Sequence, residues 1–259
     1  MIKHKIGNLA FLYFVIAISL ILIYWLGQEN LDFITLFSYA AFIIIPGLAA
    51  LSATISLKES GRTWRSRYFR IWLYFSLGTF AWFAAEAIWV VYAIFLNIEI
   101  PYPSSADIFY MVGNLSFLTG LIVYFYSFAN PFFQMKHLKK ISPILVAVGI
   151  LLSYFCLSLS PLLAQESAFK ELVDSFYLFT DSAMIIFATL SFIVFKGQER
   201  VGAVYSILCP GVILWAVGDL LFTQSDLFGT YYNGALLELL YLFGYLMISL
   251  AFLIHRREF

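Results

Sequence analysis

A chain of 259 residues that is 63% hydrophobic and only 12% charged carries far more apolar material than a soluble domain, where about 45–50% is usual. Its 15 basic and 15 acidic residues cancel, so no basic surface points to nucleic acid. The two cysteines, Cys156 and Cys209, both fall in apolar stretches and give no disulfide framework.

The apolar residues form eight runs, at 8–27, 33–56, 71–96, 107–129, 141–163, 173–195, 201–223 and 231–254. Each is near the roughly 20 residues a helix needs to cross a hydrocarbon core. An all-α, polytopic bundle of eight transmembrane helices in a lipid bilayer follows. Lys3 and Lys5 precede the first run, but no small-residue cleavage site follows Tyr24 and Trp25, so this run reads as a retained helix and not a signal peptide. The second run opens near Asp32, contains Pro46 and is followed by Lys58, Arg62, Arg65, Arg67 and Arg70. The third carries Gly78, Trp82 and Glu86.

A distinctive loop, Ile100-Pro101-Tyr102-Pro103-Ser104-Ser105-Ala106-Asp107, leads into the fourth run. Ser104 or Ser105 can cap that helix, and Asp107 suits its first turn. Tyr110 and Gly113 come next, then Lys136, Lys139 and Lys140. The fifth run has no marker beyond Cys156. Lys170 and Asp174 open the sixth, which also holds Asp181 and is followed by Lys196 and Arg200. Cys209, Pro210, Gly211, Trp215 and Asp219 lie in the seventh; Glu238, Tyr241 and Gly244 lie in the eighth, before Arg256 and Arg257. The prolines suggest kinks. Trp25, Trp64 and Trp72, near run ends, suggest an interfacial aromatic belt.

Cytoplasmic loops collect Lys and Arg. With eight spans, every basic residue except Lys170 falls on one side, which implies a multi-pass protein of the cell membrane with N-terminus and C-terminus both cytoplasmic.

The chain also repeats itself. Gly78, Trp82 and Glu86 recur as Gly211, Trp215 and Asp219, and Asp107, Tyr110 and Gly113 recur as Glu238, Tyr241 and Gly244. A weaker match relates the segment from Leu31 to Ala41 to that from Val173 to Ala183. Corresponding runs point the same way, so two parallel four-helix repeats, 1–134 and 135–259, are expected, related by an axis along the membrane normal.

No Lys, Arg or His lies within the eight runs, yet Glu86, Asp181, Asp219 and Glu238 lie in or beside them, with Asp32, Asp107 and Asp174 near the outer boundary. Intramembrane acids are costly and mark candidate functional sites. Trp82 stands four residues before Glu86, Trp215 four before Asp219, and Tyr110 and Tyr241 three after an acid, so each pair shares a helix face. Trp82, Glu86, Asp107, Tyr110, Asp181, Trp215, Asp219, Glu238 and Tyr241 are therefore the candidate ligand-binding set. Two readings stay open: a cavity for a cation or small ligand, or carboxyls that lock the bundle through hydrogen bonds. No cofactor and no metal is assigned.

The segments Trp82 to Glu86, Pro101-Tyr102-Pro103-Ser104-Ser105-Ala106-Asp107-Ile108-Phe109-Tyr110-Met111-Val112-Gly113, Trp215 to Asp219 and Glu238 to Tyr245 resemble a duplicated membrane module of prokaryotic sensors, found N-terminal to GGDEF and histidine-kinase domains. The resemblance implies a signal-input, sensor-like role that binds a cation or small ligand from the outer side. Because the chain ends at Phe259 just after the last run, a module without its own output domain is expected, serving a cytoplasmic kinase or cyclase.

Two alternatives remain. Gly218-Asp219 bears a faint likeness to lysoplasmalogenases, which are membrane-embedded lipid hydrolases, although HExxH and GxSxG signatures are missing. The duplication also suits a small-solute transporter. No lysine lies in a run to hold retinal, and His4, His137 and His255 lie at run ends, away from any bis-His haem position. A reporter fused after Arg257 is expected to be active on the cytoplasmic side; activity only on the outer side would reject this topology.

Overall fold

In the computed structural model, residues 2–59, 66–96, 102–128, 167–195 and 199–258 are described, together with 143, 144, 147–149, 151, 152, 155, 159 and 162. Seven helices run through them: α1 (Ile2–Gly27), α2 (Leu31–Glu59), α3 (Arg67–Val90, continued by a π-helical turn Val91–Leu96), α4 (Ser105–Phe128), α5 (Ala168–Phe195), α6 (Glu199–Leu227) and α7 (Glu238–Glu258). All seven are long and apolar enough to cross a membrane, and no strand occurs among the described residues. The chain is a multi-pass membrane protein. The run expected at 141–163 lies largely outside the described residues, as do Cys156, Pro101, Trp64 and the loop cations Arg62, Arg65, Lys136, Lys139, Lys140 and Lys196.

Local sequence sets the helix starts. Asn30 caps α2, its Oδ1 accepting from the Phe33 N–H at 3.1 Å. Ser66 caps α3 through the Phe69 N–H. At α4 the cap is Ser104, whose Oγ accepts from the Ala106 N–H while Asp107 Oδ2 accepts from the Ser104 N–H. This reciprocal pair is a variant of the capping box with Asp107 at the third helical position, and it fixes both the helix start and the Asp107 carboxyl.

One run boundary moves. The run expected from residue 231 becomes helical only at Glu238, because 228–237 forms a turn-rich connection. Gly234 adopts φ +93° there, which side-chain-bearing residues avoid, and so directs its N–H to Glu238 Oε1 at 2.9 Å.

The helices close a ring: α2 packs on α3, α3 on α4, α4 on α5, α5 on α6, α6 on α7, and α7 on α2. Outside the ring, α1 lies against α7 and more lightly against α2, tied by Tyr13 to Ser249 at 2.6 Å and by Tyr24 to Glu238 at 2.8 Å. Large apolar side chains such as Phe14, Ile44 and Phe179 stay exposed, as a lipid-facing exterior requires. Trp25 belongs to that exterior, but Trp72 does not form the expected belt. It is fully buried, stacked on His255 at 3.7 Å and edge-on to Phe252; its helix turns it inward, which position along the chain could not reveal.

Across the ring, α3 meets α6 through the Trp82 and Trp215 rings, stacked 3.9 Å apart at 13°. Phe117 covers the Trp82 ring at 4.2 Å. Glycines make room for this filling: a Cβ on Gly113 would lie 2.2 Å from Trp82 Cδ1, and one on Gly244 would lie 2.9 Å from Trp215 Cβ. Gly113→Ala and Gly244→Ala are each expected to cost about 1–3 kcal/mol through overpacking. Gly7→Ala meets nothing within 4 Å and should leave the midpoint unchanged or slightly higher. Thermal unfolding in detergent measures all three, and wild-type midpoints for the first two would show that the tryptophans yield.

Candidate functional site

One end of the ring opens into a pocket. The starts of α2, α4, α5 and α7 and the ends of α3 and α6 meet there, so the pocket lies at the end away from the C-terminus of α7. Its empty volume, open mouth included, is about 640 Å³. Ser38, Tyr39 and Phe42 line it from α2, Glu86 and Trp89 from α3, and Asp107 and Tyr110 from α4. Tyr177 comes from α5, Asp219 and Phe222 from α6, and Glu238 and Tyr241 from α7; Tyr102, Tyr231 and Asn233 come from the connections.

Each lining acid is held by hydroxyl or backbone donors. Glu238 is the most heavily bonded: Tyr24 and Ser38 donate to Oε2 at 2.8 and 2.7 Å, while Tyr231 and the Gly234 N–H donate to Oε1 at 3.0 and 2.9 Å. Four donors on two oxygens match a carboxylate, which only accepts. Asp107 accepts from Tyr177 at 2.8 Å besides its capping bonds. Glu86 accepts from Tyr245 at 2.8 Å. Asp219 Oδ1 accepts from Tyr241 at 3.0 Å. No Lys, Arg or His lines the pocket among the described residues.

The rim is built from the connections. Tyr102 donates to the buried Asp174, and Lys170 pairs with Asp226 at 2.9 Å while its ammonium stands 5.4 Å from the Tyr102 ring centre. Burial, and then the charge of Asp174, pushes the Tyr102 hydroxyl well above its ordinary range. Burial and Glu238 do the same to Tyr231, so both keep their protons and act as donors.

The sequence-based set divides by depth. Glu86, Asp107, Tyr110, Asp219, Glu238 and Tyr241 line the pocket. Trp82 and Trp215 do not; their rings fill the ring interior and are buried. Asp181 is fully buried and off the lining, while Asp32 is exposed. Most of the aromatic wall escaped the sequence reading. Trp89 and Phe222 carried a usable signal, each three residues after an acid at matched positions; Tyr39, Phe42 and Tyr177 carried none, because only helix packing turns them inward, and Tyr231 is brought in by the turn before α7.

Glu238→Gln would set an amide N–H₂ against converging donors and is expected to cost about 1–3 kcal/mol of stability. Ser38→Ala removes one donor of the four and should cost less in the same detergent unfolding assay. Equal losses would mean that the four bonds do not act as a set. No family model, curated protein or solved structure matches the chain.

Proposed function

We propose that this protein is a signal-input module of the membrane whose pocket takes a small organic cation from the outer side and whose helix ring passes occupancy to a cytoplasmic kinase or cyclase. The observation that carries this reading is the lining itself. Aromatic rings from Tyr39, Phe42, Trp89, Tyr102, Tyr110, Tyr177, Phe222, Tyr231 and Tyr241 surround the carboxyls of Glu86, Asp107, Asp219 and Glu238. Ring faces and negative charge together attract alkylammonium groups, each contact contributing about 0.5–2 kcal/mol. Each of these carboxyls has at least one donor on it, and among the described residues no three acids, histidines or cysteines are placed to hold a metal ion. A methylated ammonium needs no shell of ligand oxygens. Binding becomes a signal where two ring states differ in affinity for it.

The same reading includes eight spans in two parallel repeats with both termini cytoplasmic. In support, α4 ends away from the pocket and α5 begins beside it, which favours a further crossing between them. In support too, α2 and α5, α3 and α6, and α4 and α7 occupy opposite places in the ring order, with the tryptophan stack between α3 and α6, as a two-fold relation between the halves would require. A Cβ on Gly78 would lie 3.1 Å from the Gly113 carbonyl oxygen, and one on Gly211 would lie 3.1 Å from that of Gly244. The matched glycine variants above check this equivalence, since equivalent sites should lose similar stability.

Titration of the protein in lipid nanodiscs, followed by tryptophan fluorescence, tests the pocket. Tetramethylammonium is expected to bind at least about tenfold more tightly than uncharged tert-butanol of similar shape, a difference of about 1.4 kcal/mol. The double variant Glu86→Gln, Asp219→Asn should weaken it by a similar factor. Unaltered binding in a stably folded double variant would remove these acids from the mechanism.

A further inference from the structure

Behind the pocket, Asp181 and Asp219 raise a question that cation binding alone does not answer. Asp181 Oδ1 accepts from Asn114 Nδ2 at 3.0 Å. The amide cannot be turned round, because Asn114 Oδ1 accepts from Trp82 Nε1 at 2.9 Å and an indole N–H only donates. Asp219 Oδ1 accepts from Tyr241. The other oxygen of each carboxyl, Asp181 Oδ2 and Asp219 Oδ2, is buried with no hydrogen-bond donor, yet the two carboxyls lie within hydrogen-bonding reach of each other. Two ionised carboxylates have nothing to donate. One proton on the pair supplies the donor that the two ionised groups lack.

Among the described residues, the surroundings supply no substitute for that proton. The titratable groups facing the pair are Glu86 from α3, Asp107 and Tyr110 from α4, Asp174 and Tyr177 from α5, Tyr241 and Tyr245 from α7, and Tyr102 from the rim. None is a cation. Asp219 lines the pocket while Asp181 is sealed behind it.

We propose that Asp181 and Asp219 form a proton-binding site on the pocket floor, and that its protons compete with the cation held in the pocket. This rests on the cation reading above and extends it: the module registers the cation and pH together. In the exchange an O–H bond on the pair breaks, the electron pair stays on the carboxylate, and the proton leaves through the mouth as the cation enters. No redox partner is involved. The linkage is reciprocal: protons weaken the cation and the cation expels protons, so affinity rises with pH, by up to about tenfold per unit for one exchanged proton.

Two measurements test it, one of them independent of any cation. Infrared spectra of the ligand-free protein in nanodiscs are expected to contain a protonated-carboxyl C=O band that titrates with pH and is lost in Asp181→Asn, whose amide can donate to Asp219 Oδ2 in place of the proton. Calorimetric titration with tetramethylammonium in buffers of different ionisation enthalpy is expected to show proton release in the wild type and an affinity that no longer follows pH in Asp181→Asn. Absence of the band, or its persistence in folded Asp181→Asn, overturns the proton site. Binding without proton release, or the same pH dependence in Asp181→Asn, overturns the competition. If the band behaves as stated but tetramethylammonium binds at no pH, the cation reading fails and the competition with it, while the proton site stands.

Discussion

A carboxyl inside a membrane bundle must find donors within the protein, because lipid offers none. This protein answers with tyrosine and serine hydroxyls and backbone N–H groups. Glu238 shows how far the architecture depends on that solution. Its four donors come from α1, α2 and the turn before α7, so one side chain gathers three separate stretches of chain at the pocket end. The turn can take part only because Gly234 adopts a backbone conformation closed to other residues. Asp107 plays the corresponding part for α4 and α5, capping one helix and accepting from Tyr177 on the other.

Hydroxyl donors leave a charge where a salt bridge would cancel it. A lysine or arginine in the wall would satisfy the same acids and neutralise the pocket at once. Tyrosines satisfy the oxygens and also present ring faces, whose quadrupole adds to the attraction for a positive ligand. Under the proposed function, the same residues hold the bundle together and shape the binding chemistry of the pocket, so that structural lock and ligand site become two consequences of one arrangement.

Below the pocket, the tryptophan stack sets how closely the ring can close. Trp82 and Trp215 meet face to face between opposite helices, and the glycines beside them admit rings where any Cβ would collide. Trp82 also holds Asn114, which holds Asp181. Through Asp219 and Tyr241 this chain of contacts joins five of the six ring helices. A change in charge at the pocket floor would thus be in direct contact with the packing that fixes the ring, the route that the proposed function requires.

The sequence by itself determined the membrane class, most helix limits and the acids at issue, because each of these is a local property. Run length reports the hydrocarbon thickness, a capping pattern such as Ser104 to Asp107 reports a helix start, and an acid without a basic neighbour reports its own cost. The order of Gly, Trp and acid also marked the stretches where helices approach most closely. What tertiary structure decided was direction and partnership. Trp82 and Trp215 share a face with Glu86 and Asp219 along their helices, yet they fill the ring interior below the pocket, since residues four apart differ in depth by one helical turn. Tyr177 and Tyr245 meet Asp107 and Glu86 only across the fold, Tyr231 meets Glu238 through the turn before α7, and Asp181 meets Asp219 only because α5 packs on α6. Periodicity gives a residue its face, but only the neighbouring helix determines what that face meets.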